Sequence, residues 1–289
     1  MIKLDEKKIR KGKAVGLPYV GSKKKISKKI VEIIKQNFGT DKTVYDVFGG
    51  GGAITAELMI NSIDVVYNDL DKTITDMFNR VLSQDREWIK TLSVSRDEFF
   101  TIRDKENKSV DDELKLLVNS FGNDRRSYLY REELSDIKYN LAVDIIKKDN
   151  VFSGYKQTTT YQNNSYKNID NNDRLQQLQH LGRLEQLQRL GQLPKTINKD
   201  YKYFTNVKDS ILYLDPPYEN SDTSKYNSHI DYQEFYDWAY EMSKNNIVLL
   251  SSYEVSDDRF TCVYEFKTAR STLKNGGRGS RCEKLFMVK

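Results

Sequence analysis

Four consecutive residues, Asp215, Pro216, Pro217 and Tyr218, combine the groups that methylation of an exocyclic amino group requires. The nitrogen of such a group is a poor nucleophile because its lone pair is delocalised into the base, so a catalyst must accept both amino hydrogens. The Asp215 carboxylate and the Pro216 carbonyl are two such acceptors, and the proline rings hold them stiffly. The Tyr218 ring can stack on the same base, a contact worth about 1–3 kcal/mol. The alternative is a β-turn with two prolines; the acid, the ring and the preceding apolar run 211–214 favour the catalytic interpretation.

A second constellation predicts a nucleotide-like cofactor. The strand-like residues 44–48 lead into the glycine run 49–52 and then into the helical pattern 53–59, and a further strand-like run, 64–67, ends at Asn68-Asp69. Glycines between a strand and a helix let backbone N–H groups approach a ligand, and an acid after the next strand can hold ribose hydroxyls. Gly50, Gly52 and Asp69 fit this scheme, with Asp71 as a competitor for Asp69.

These elements form a βαβ unit, which predicts a mainly parallel sheet in an α/β, Rossmann-like fold. Further strands are expected at 201–204, 211–214, 247–251, 262–266 and 284–288, and helices at 26–38 and 232–242. Dinucleotide enzymes share the glycine loop. S-adenosylmethionine is favoured as cofactor because the loop lacks a third glycine in the GxGxxG register and because a dehydrogenase has no use for Asp-Pro-Pro-Tyr.

Taken together, these motifs resemble those of the Dam-like DNA adenine N(6)-methyltransferases, particularly the phage and prophage members. Residues 18–23 look like the family's Trp-Ala-Gly-Gly-Lys element with Tyr19 for Trp and Ser22 for Gly, residues 46–53 like its Asp-Pro-Phe loop, and Asp200-Tyr201 like its adenine-contacting pair. Residues 248–258 and 271–286 resemble its closing motifs. The resemblance implies cofactor contacts for Tyr19, Gly21, Lys23, Asp46, Phe48, Gly50, Gly52, Asp69, Asp200 and Tyr201, catalytic roles for Asp215, Pro216, Pro217 and Tyr218, and base flipping of an adenine in double-stranded DNA.

The predicted domain organisation is a catalytic domain, 1–84 and 195–289, with an inserted, mostly helical target-recognition region, 85–172. Specificity is expected from this region, where Asn119, Arg125 and Arg126 could read base edges or phosphates. Residues 119–123 resemble a DNA-contacting loop of the family. The polar stretch 156–173 is either a DNA contact or a surface loop. Basic residues cluster at 3–29 and 270–284; they suit a polyanion or are solvated faces.

Residues 173–194 contain a repeat, LQQLQHLGR followed by LEQLQRLGQ. Leucines recur every third residue, so in an α-helix their stripe winds around the axis, and two glycines weaken the helix. The pattern favours an appended low-complexity segment of short helical turns or partial disorder over a coiled-coil seam, which needs a 3.5-residue period.

Composition excludes several other classes. The 289 residues include 2 Cys and 2 His, which predicts no zinc site and no disulfide framework, and no apolar run approaches the length of a membrane span. We expect a cytoplasmic protein of a bacterial host or phage, a monomer or weak dimer, without metal and without a nuclease motif.

Three rival functions remain open. Cytosine N(4) methylation uses related geometry but more typically has Ser at the Asp215 position, and RNA or protein-glutamine methylation more often has Asn there. A DNA-binding protein with a decayed pocket would be expected to lose Asp215, Asp69 or Gly50, and all three are present.

Overall fold

The computed structural model describes residues 2–19, 22–163, 174–219, 230–270 and 282–289, without the side chains of 267–270. They form two compact units. The sheet unit comprises Met1–Ala14, Lys23–Thr75 and Pro194–Lys289, and the helical unit comprises Val15–Ser22 and Asp76–Leu193. The structure thus groups the chain differently from the predicted boundaries: residues 76–84, the repeat and residues 15–22 all join the helical unit.

Within its described residues, the sheet unit has one sheet of seven strands in the order β3-β2-β1-β4-β5-β7-β6. Its strands are β1 (Val44–Asp46), β2 (Val65–Asn68), β3 (Lys195–Ile197), β4 (Ile211–Leu214), β5 (Ile247–Ser252), β6 (Phe260–Arg270) and β7 (Cys282–Val288). Strands β1 to β5 pair in parallel, and β7 is antiparallel to both β5 and β6. The predicted mainly parallel sheet is confirmed. The strand order reverses between β1 and β4, which is where ligands bind in doubly wound sheets.

Successive side chains of a β-strand point to opposite faces of the sheet, so the hydrophobic core is divided between the two faces of this sheet. On β4, Ile211 and Tyr213 join the core beside α1 (Ser27–Phe38) and α2 (Ala53–Ile60). Leu212 and Leu214 join the opposite core, which contains α10 (Tyr232–Ser243) and Phe204. The helices are therefore on both sides of the strands, as an α/β fold requires.

Residues 201–204 were predicted to be a strand and are instead a 3-10 helix. The Asp200 side chain accepts a hydrogen bond from the Lys202 backbone N–H, at 3.0 Å, and so caps its first turn. Acid capping of a helix start is a common local signal. The strand that pairs with β2 is the preceding segment, β3.

The helical unit contains most of α3 and all of the next six helices. They are α3 (Lys72–Leu82), α4 (Arg86–Lys90), α5 (Arg96–Arg103), α6 (Val110–Val118), α7 (Glu132–Lys148), α8 (Thr159–Gln162) and α9 (Gln176–Gln188). One core cluster of this unit is aromatic-rich and includes Phe99, Tyr128 and Tyr130. These elements, α3 to α9, are all helices.

The repeat differs from its prediction as an appended segment, because it forms the single helix α9. Leu178, Leu181, Leu184 and Leu187 are all fully buried. A stripe that winds around the axis is stable here because the helix has neighbours on several sides, including α4, α6 and α7. Gly182 permits a close approach of the chain, since a Cβ at this position would lie 2.9 Å from Ser153 Oγ.

Some sequence predictions lie outside the described residues: Gly21, residues 164–173, residues 271–281 and the side chain of Arg270. Among the helices that are described, none is long and apolar enough to cross a membrane.

Candidate active site

Two carboxylates lie at the point where the strand order reverses. Asp46 is the last residue of β1, and Asp215 directly follows β4. Because Asp46 pairs with Tyr213 in the parallel register of β1 and β4, both acids lie at the carboxyl edge of the sheet. The turn after Asp215 is held by α10, since the Tyr232 hydroxyl donates a hydrogen bond to the Pro217 carbonyl.

Asp215 belongs to a largely buried cluster with Lys23, Tyr218 and Glu283. The Lys23 ammonium lies 2.7 Å from Asp215 Oδ1 and 3.5 Å from Glu283 Oε1, and it donates to the Tyr218 hydroxyl at 2.6 Å. That hydroxyl donates to Glu283 Oε1 and lies 3.3 Å from Asp215 Oδ1. Ser251 Oγ also donates to Glu283, at 2.9 Å. Lys23, assigned to the cofactor by resemblance, thus contacts the catalytic candidates directly.

The cluster shifts the pKa values of its members. Burial raises the pKa of Asp215 to about 6; Lys23 opposes this shift and Glu283 adds to it. Burial and the two nearby carboxylates raise the pKa of Tyr218 well above its ordinary value, so this phenol stays protonated. Burial by itself lowers the pKa of Lys23, but Asp215 and Glu283 outweigh that effect and raise it. With one ammonium and two carboxylates, the cluster carries a net negative charge when Asp215 is ionised.

The glycine loop is tied to Asp69 at the end of β2. The Gly50 backbone N–H donates to Asp69 Oδ2 at 2.8 Å, and the Asp71 N–H donates to Asp69 Oδ1 at 2.8 Å. Asp69, rather than its sequence competitor Asp71, is thus the acid fastened to the loop. Gly50 and Gly52 have φ values of 46° and 68°, which L side chains rarely adopt. At Gly49, a Cβ would lie 2.4 Å from the Tyr67 ring.

Asp46 has one satisfied and one unsatisfied carboxylate oxygen. Thr55 donates to Oδ2 through both its backbone N–H, at 3.1 Å, and its hydroxyl, at 2.6 Å. Oδ1 is buried and has no hydrogen-bond partner among the described residues. Burial raises the pKa of Asp46 to about 7, against the hydrogen bonds from Thr55 and with added repulsion from Asp215 and Asp69. A buried acceptor without a partner is costly, so Asp46 Oδ1 is suited to a ligand with a donor or a positive charge.

Two aromatic residues predicted to contact the cofactor, Phe48 and Tyr201, lie together, whereas Asp200, the acid before Tyr201, faces solvent. The rings of Phe48 and Tyr201 are 6.2 Å apart, and both contact Phe235. Tyr201 is 6% exposed. Asp200 is exposed and caps the 3-10 helix.

Residues 19–264 match the model of the D12 class N6 adenine-specific DNA methyltransferases. The chain belongs to this family. It is therefore an adenine-specific DNA methyltransferase, which removes cytosine N(4) and protein-glutamine methylation from the candidate functions.

Two solved structures resemble the methyltransferase over most of its length. One is described as "putative methylase HI0767 from Haemophilus influenzae", at 9% identity and a TM-score of 0.34, covering 91% of this chain and 96% of the other. The second is described as "Putative methyltransferase yhhF from Escherichia coli", at 10% identity and a TM-score of 0.35, covering 94% and 91%. No match was found among curated proteins.

The remaining predicted site residues of the methyltransferase lie in the helical unit. Tyr19 is in its segment Val15–Ser22. Arg125 is half-buried and pairs with Glu113 at 2.8 Å, and Arg126 is exposed. Asn119 is fully buried, and its amide bonds Leu92 O, Lys115 O and the Val94 N–H. Asn119 is therefore a structural residue in this conformation, and the prediction that it contacts DNA finds no support in its position.

The loop that follows Asn119 presents an aromatic ring. Phe121 is 63% exposed, although its backbone is held by a hydrogen bond from its N–H to Ser127 O, at 2.8 Å. The loop also contains three residues with positive φ: Gly122, Asn123 and Arg125. An exposed ring on a well-bonded loop is a candidate contact surface.

Glu283 and Ser251 are the site residues that sequence reasoning missed. Glu283 was noted only as part of a closing motif, yet its side chain is 7% exposed. The sequence did contain a signal for Glu283. It lies two residues before the fully buried Leu285 on the same strand, so the two side chains point to the same face of the sheet. An acid in a buried register of a strand requires partners, and here they are Lys23, Tyr218 and Ser251. No group of three or more His, Cys, Asp or Glu side chains in the described ranges could hold a metal ion.

Proposed function

We propose that this methyltransferase transfers the methyl group of S-adenosylmethionine to the 6-amino group of an adenine flipped out of double-stranded DNA. The observation that carries this proposal is the largely buried cluster of Lys23, Asp215, Tyr218 and Glu283 at the strand-order reversal. It combines a fixed carboxylate with a fixed aromatic ring beside the edge where a doubly wound sheet binds its cofactor.

Asp215 is the proposed acceptor for one amino hydrogen. The contacts that Lys23 and Tyr218 make with Asp215 are both made to Oδ1, so Oδ2 is the oxygen we assign to the adenine amino group. The Pro216 carbonyl would accept the second hydrogen, since the turn is fixed by the bond from Tyr232 to the next carbonyl. With both hydrogens held, the nitrogen lone pair would be released from the ring and would attack the methyl carbon in line while the bond from that carbon to the sulfonium sulfur breaks. The neutral thioether would leave, and one amino proton would pass to Asp215 and then to solvent. Positioning supplies much of the acceleration.

The carboxylates suit a cationic methyl donor. Asp46, Asp69 and Asp215 all lie at the ends of neighbouring strands, and mutual repulsion contributes to the raised pKa of Asp46. A sulfonium and an ammonium group would relieve that repulsion, because opposite charges favour the ionised forms of the acids. Asp46 Oδ1, which has no partner among the described residues, would accept from the donor's amino group, and Asp69 would bond its ribose hydroxyls. The half-buried Phe48 ring would supply a surface for its adenine, with the buried Tyr201 ring packed beside it.

DNA binding is assigned to the loop of the helical unit. Arg125 and Arg126 would contact phosphates, and the exposed Phe121 ring would insert between or stack on bases, as apolar wedges do in other DNA-binding proteins. Flipping costs a few kcal/mol of unstacking, and a stacked aromatic ring returns about 1–3 kcal/mol.

The test is a product analysis. The protein is incubated with S-adenosylmethionine and unmethylated DNA, and the digested nucleosides are quantified by mass spectrometry, beside the Asp215→Asn variant. We expect 6-methyladenine from the wild type and at least a hundredfold less from D215N. 4-Methylcytosine alone would overturn the base assignment. Wild-type turnover in D215N would overturn the role of Asp215.

Calorimetry tests the alternative that this protein binds DNA but has lost its cofactor site. Titration with S-adenosylmethionine measures whether the cofactor site is intact, and a protein that has lost its cofactor site releases no binding heat. We expect binding in the wild type and weaker binding in Asp69→Ala.

A further inference from the structure

The leucine-glutamine repeat has no place in the chemistry proposed above, yet helix α9 contacts both ends of the loop assigned to DNA. The loop runs from Asn119 to Tyr128 and is closed by the bridge between Ser120 and Tyr128. All the residues concerned lie in the helical unit.

Gln177 makes these contacts from a fully buried position. Its side-chain Nε2 lies 2.5 Å from Asn119 Oδ1 and 3.3 Å from the Tyr128 hydroxyl, the first and last residues of the loop. It also donates to Val94 O at 3.0 Å, the same carbonyl to which the Tyr128 hydroxyl donates at 3.0 Å. One amide group thus joins helix α9, both loop ends and the segment before α5.

A second residue of α9 contacts the chain just before the loop. His180 Nδ1 lies 2.7 Å from the carbonyl of Val118, the last residue of α6, and the side chain is 7% exposed. A carbonyl can only accept, so Nδ1 is the protonated nitrogen. The helix therefore fixes two consecutive residues at the point where the loop begins.

The two copies of the repeat are not equivalent in this respect. Gln186 occupies the position in the second copy that Gln177 occupies in the first, nine residues earlier. In an α-helix nine residues turn about 900°, or two and a half turns, so equivalent positions lie on opposite sides of the axis. Gln186 is half-buried, whereas Gln177 is fully buried. The chain thereby provides a matched control for Gln177.

We propose that Gln177 is a positioning residue for DNA recognition, and that the repeat helix is the support that holds the loop 119–128 in its reading conformation. The inference rests on the proposed role of that loop in DNA binding. Loops read base edges only when their side chains are held in register, and a network whose members are all buried has few alternative arrangements.

The test compares Gln177→Met with Gln186→Met. Methionine is close to glutamine in size but has no N–H donor. Hydrogen exchange of the backbone amides in 119–128, measured on the free protein, should be roughly tenfold faster in Q177M and unchanged in Q186M. This measurement reports on the loop whether or not the protein methylates DNA.

Specificity is measured on two duplexes: the preferred site, mapped from methylated adenines in genomic DNA, and the same site with one changed base pair. The ratio of their kcat/KM values cancels any difference in the folded fraction. It should fall roughly five- to tenfold in Q177M but not in Q186M, while the affinity for S-adenosylmethionine stays at the wild-type value. Tyr128→Phe removes only a hydroxyl from the network and should shift both measurements in the same direction; it serves as the second variant if Q177M does not fold.

Two results would overturn the inference. Unchanged exchange in Q177M would show that the network does not hold the loop. Faster exchange with an unchanged ratio would make Gln177 a residue of stability alone. If the wild type methylates no DNA, the proposed function fails separately, and the exchange measurement still decides whether Gln177 holds the loop.

Discussion

Replacing Glu283 with glutamine should move the acid limb of the pH-activity profile. Asp215 must be ionised to accept strongly from the adenine amino group, and its pKa is about 6. Wild-type kcat/KM, which reports the ionisation of the free protein, should therefore decline as the pH falls through about 6. Glu283 contributes to that raised pKa by repulsion, so E283Q should carry the decline to lower pH.

The size of the shift follows from the geometry of the cluster. Asp215 Oδ1 and Glu283 Oε1 lie 2.7 and 3.5 Å from the same Lys23 nitrogen, so they are at most about 6 Å apart. Two unit charges at that distance repel by about 2.7 kcal/mol at an effective dielectric of about 20 and by about 0.7 kcal/mol in bulk water. Since one pKa unit corresponds to about 1.36 kcal/mol, the acid limb should move down by roughly 0.5 to 2 units.

The assay measures methyl transfer with DNA and S-adenosylmethionine both well below their KM values, so that the rate reports the free protein, from about pH 5 to pH 9. The control is Glu265→Gln, because Glu265 is an exposed acid on the adjacent strand β6. The control should leave the profile unchanged. An E283Q profile with the wild-type midpoint, at any level of activity, would show that Glu283 does not act on Asp215 through its charge.

Three further changes test other parts of the structure. Asp46→Asn should weaken S-adenosylmethionine binding yet stabilise the free protein at pH 8. The pKa of Asp46 is about 7 in the folded protein against 3.8 ordinarily, so the stability of the wild type falls by up to about 4 kcal/mol as the pH rises from about 4 to about 7. The variant should lose this dependence of its Tm on pH. A Tm that falls equally steeply with pH in D46N would contradict the assignment. Phe121→Ala should raise the KM for DNA about 5- to 150-fold, the equivalent of about 1–3 kcal/mol of stacking, and leave the cofactor affinity unchanged in calorimetry; an unchanged KM would remove Phe121 from the interface. Gly49→Ala should lower the unfolding free energy in urea by about 1–3 kcal/mol or more, because its Cβ would lie 2.4 Å from the Tyr67 ring; wild-type stability would mean that the ring can move aside.

The sequence by itself determined the family and the frame that holds the candidate site. Asp-Pro-Pro-Tyr after an apolar run, and glycines between a strand and a helix, are local patterns whose consequences depend on few distant contacts. For that reason the parallel sheet, the positions of β1, β2 and β4, and the family were predictable. Asp69 bonded to Gly50 was also expected, because a βαβ unit brings the two strand ends together.

Only the tertiary structure decided which side chains complete the site. Lys23 and Glu283 are 260 residues apart in the chain, and their meeting at Asp215 depends on β7 lying beside β5 in the sheet. Local helix propensity also gave the wrong prediction for the repeat. Its leucine stripe winds around the axis, and the helix is stable because it packs against α4, α6 and α7. Asn119 illustrates the same limit: a polar residue in a loop-like sequence became a buried hydrogen-bond centre because Gln177 packs against it. Residue type and spacing specify local geometry, whereas burial is set by contacts between segments that are distant in the sequence.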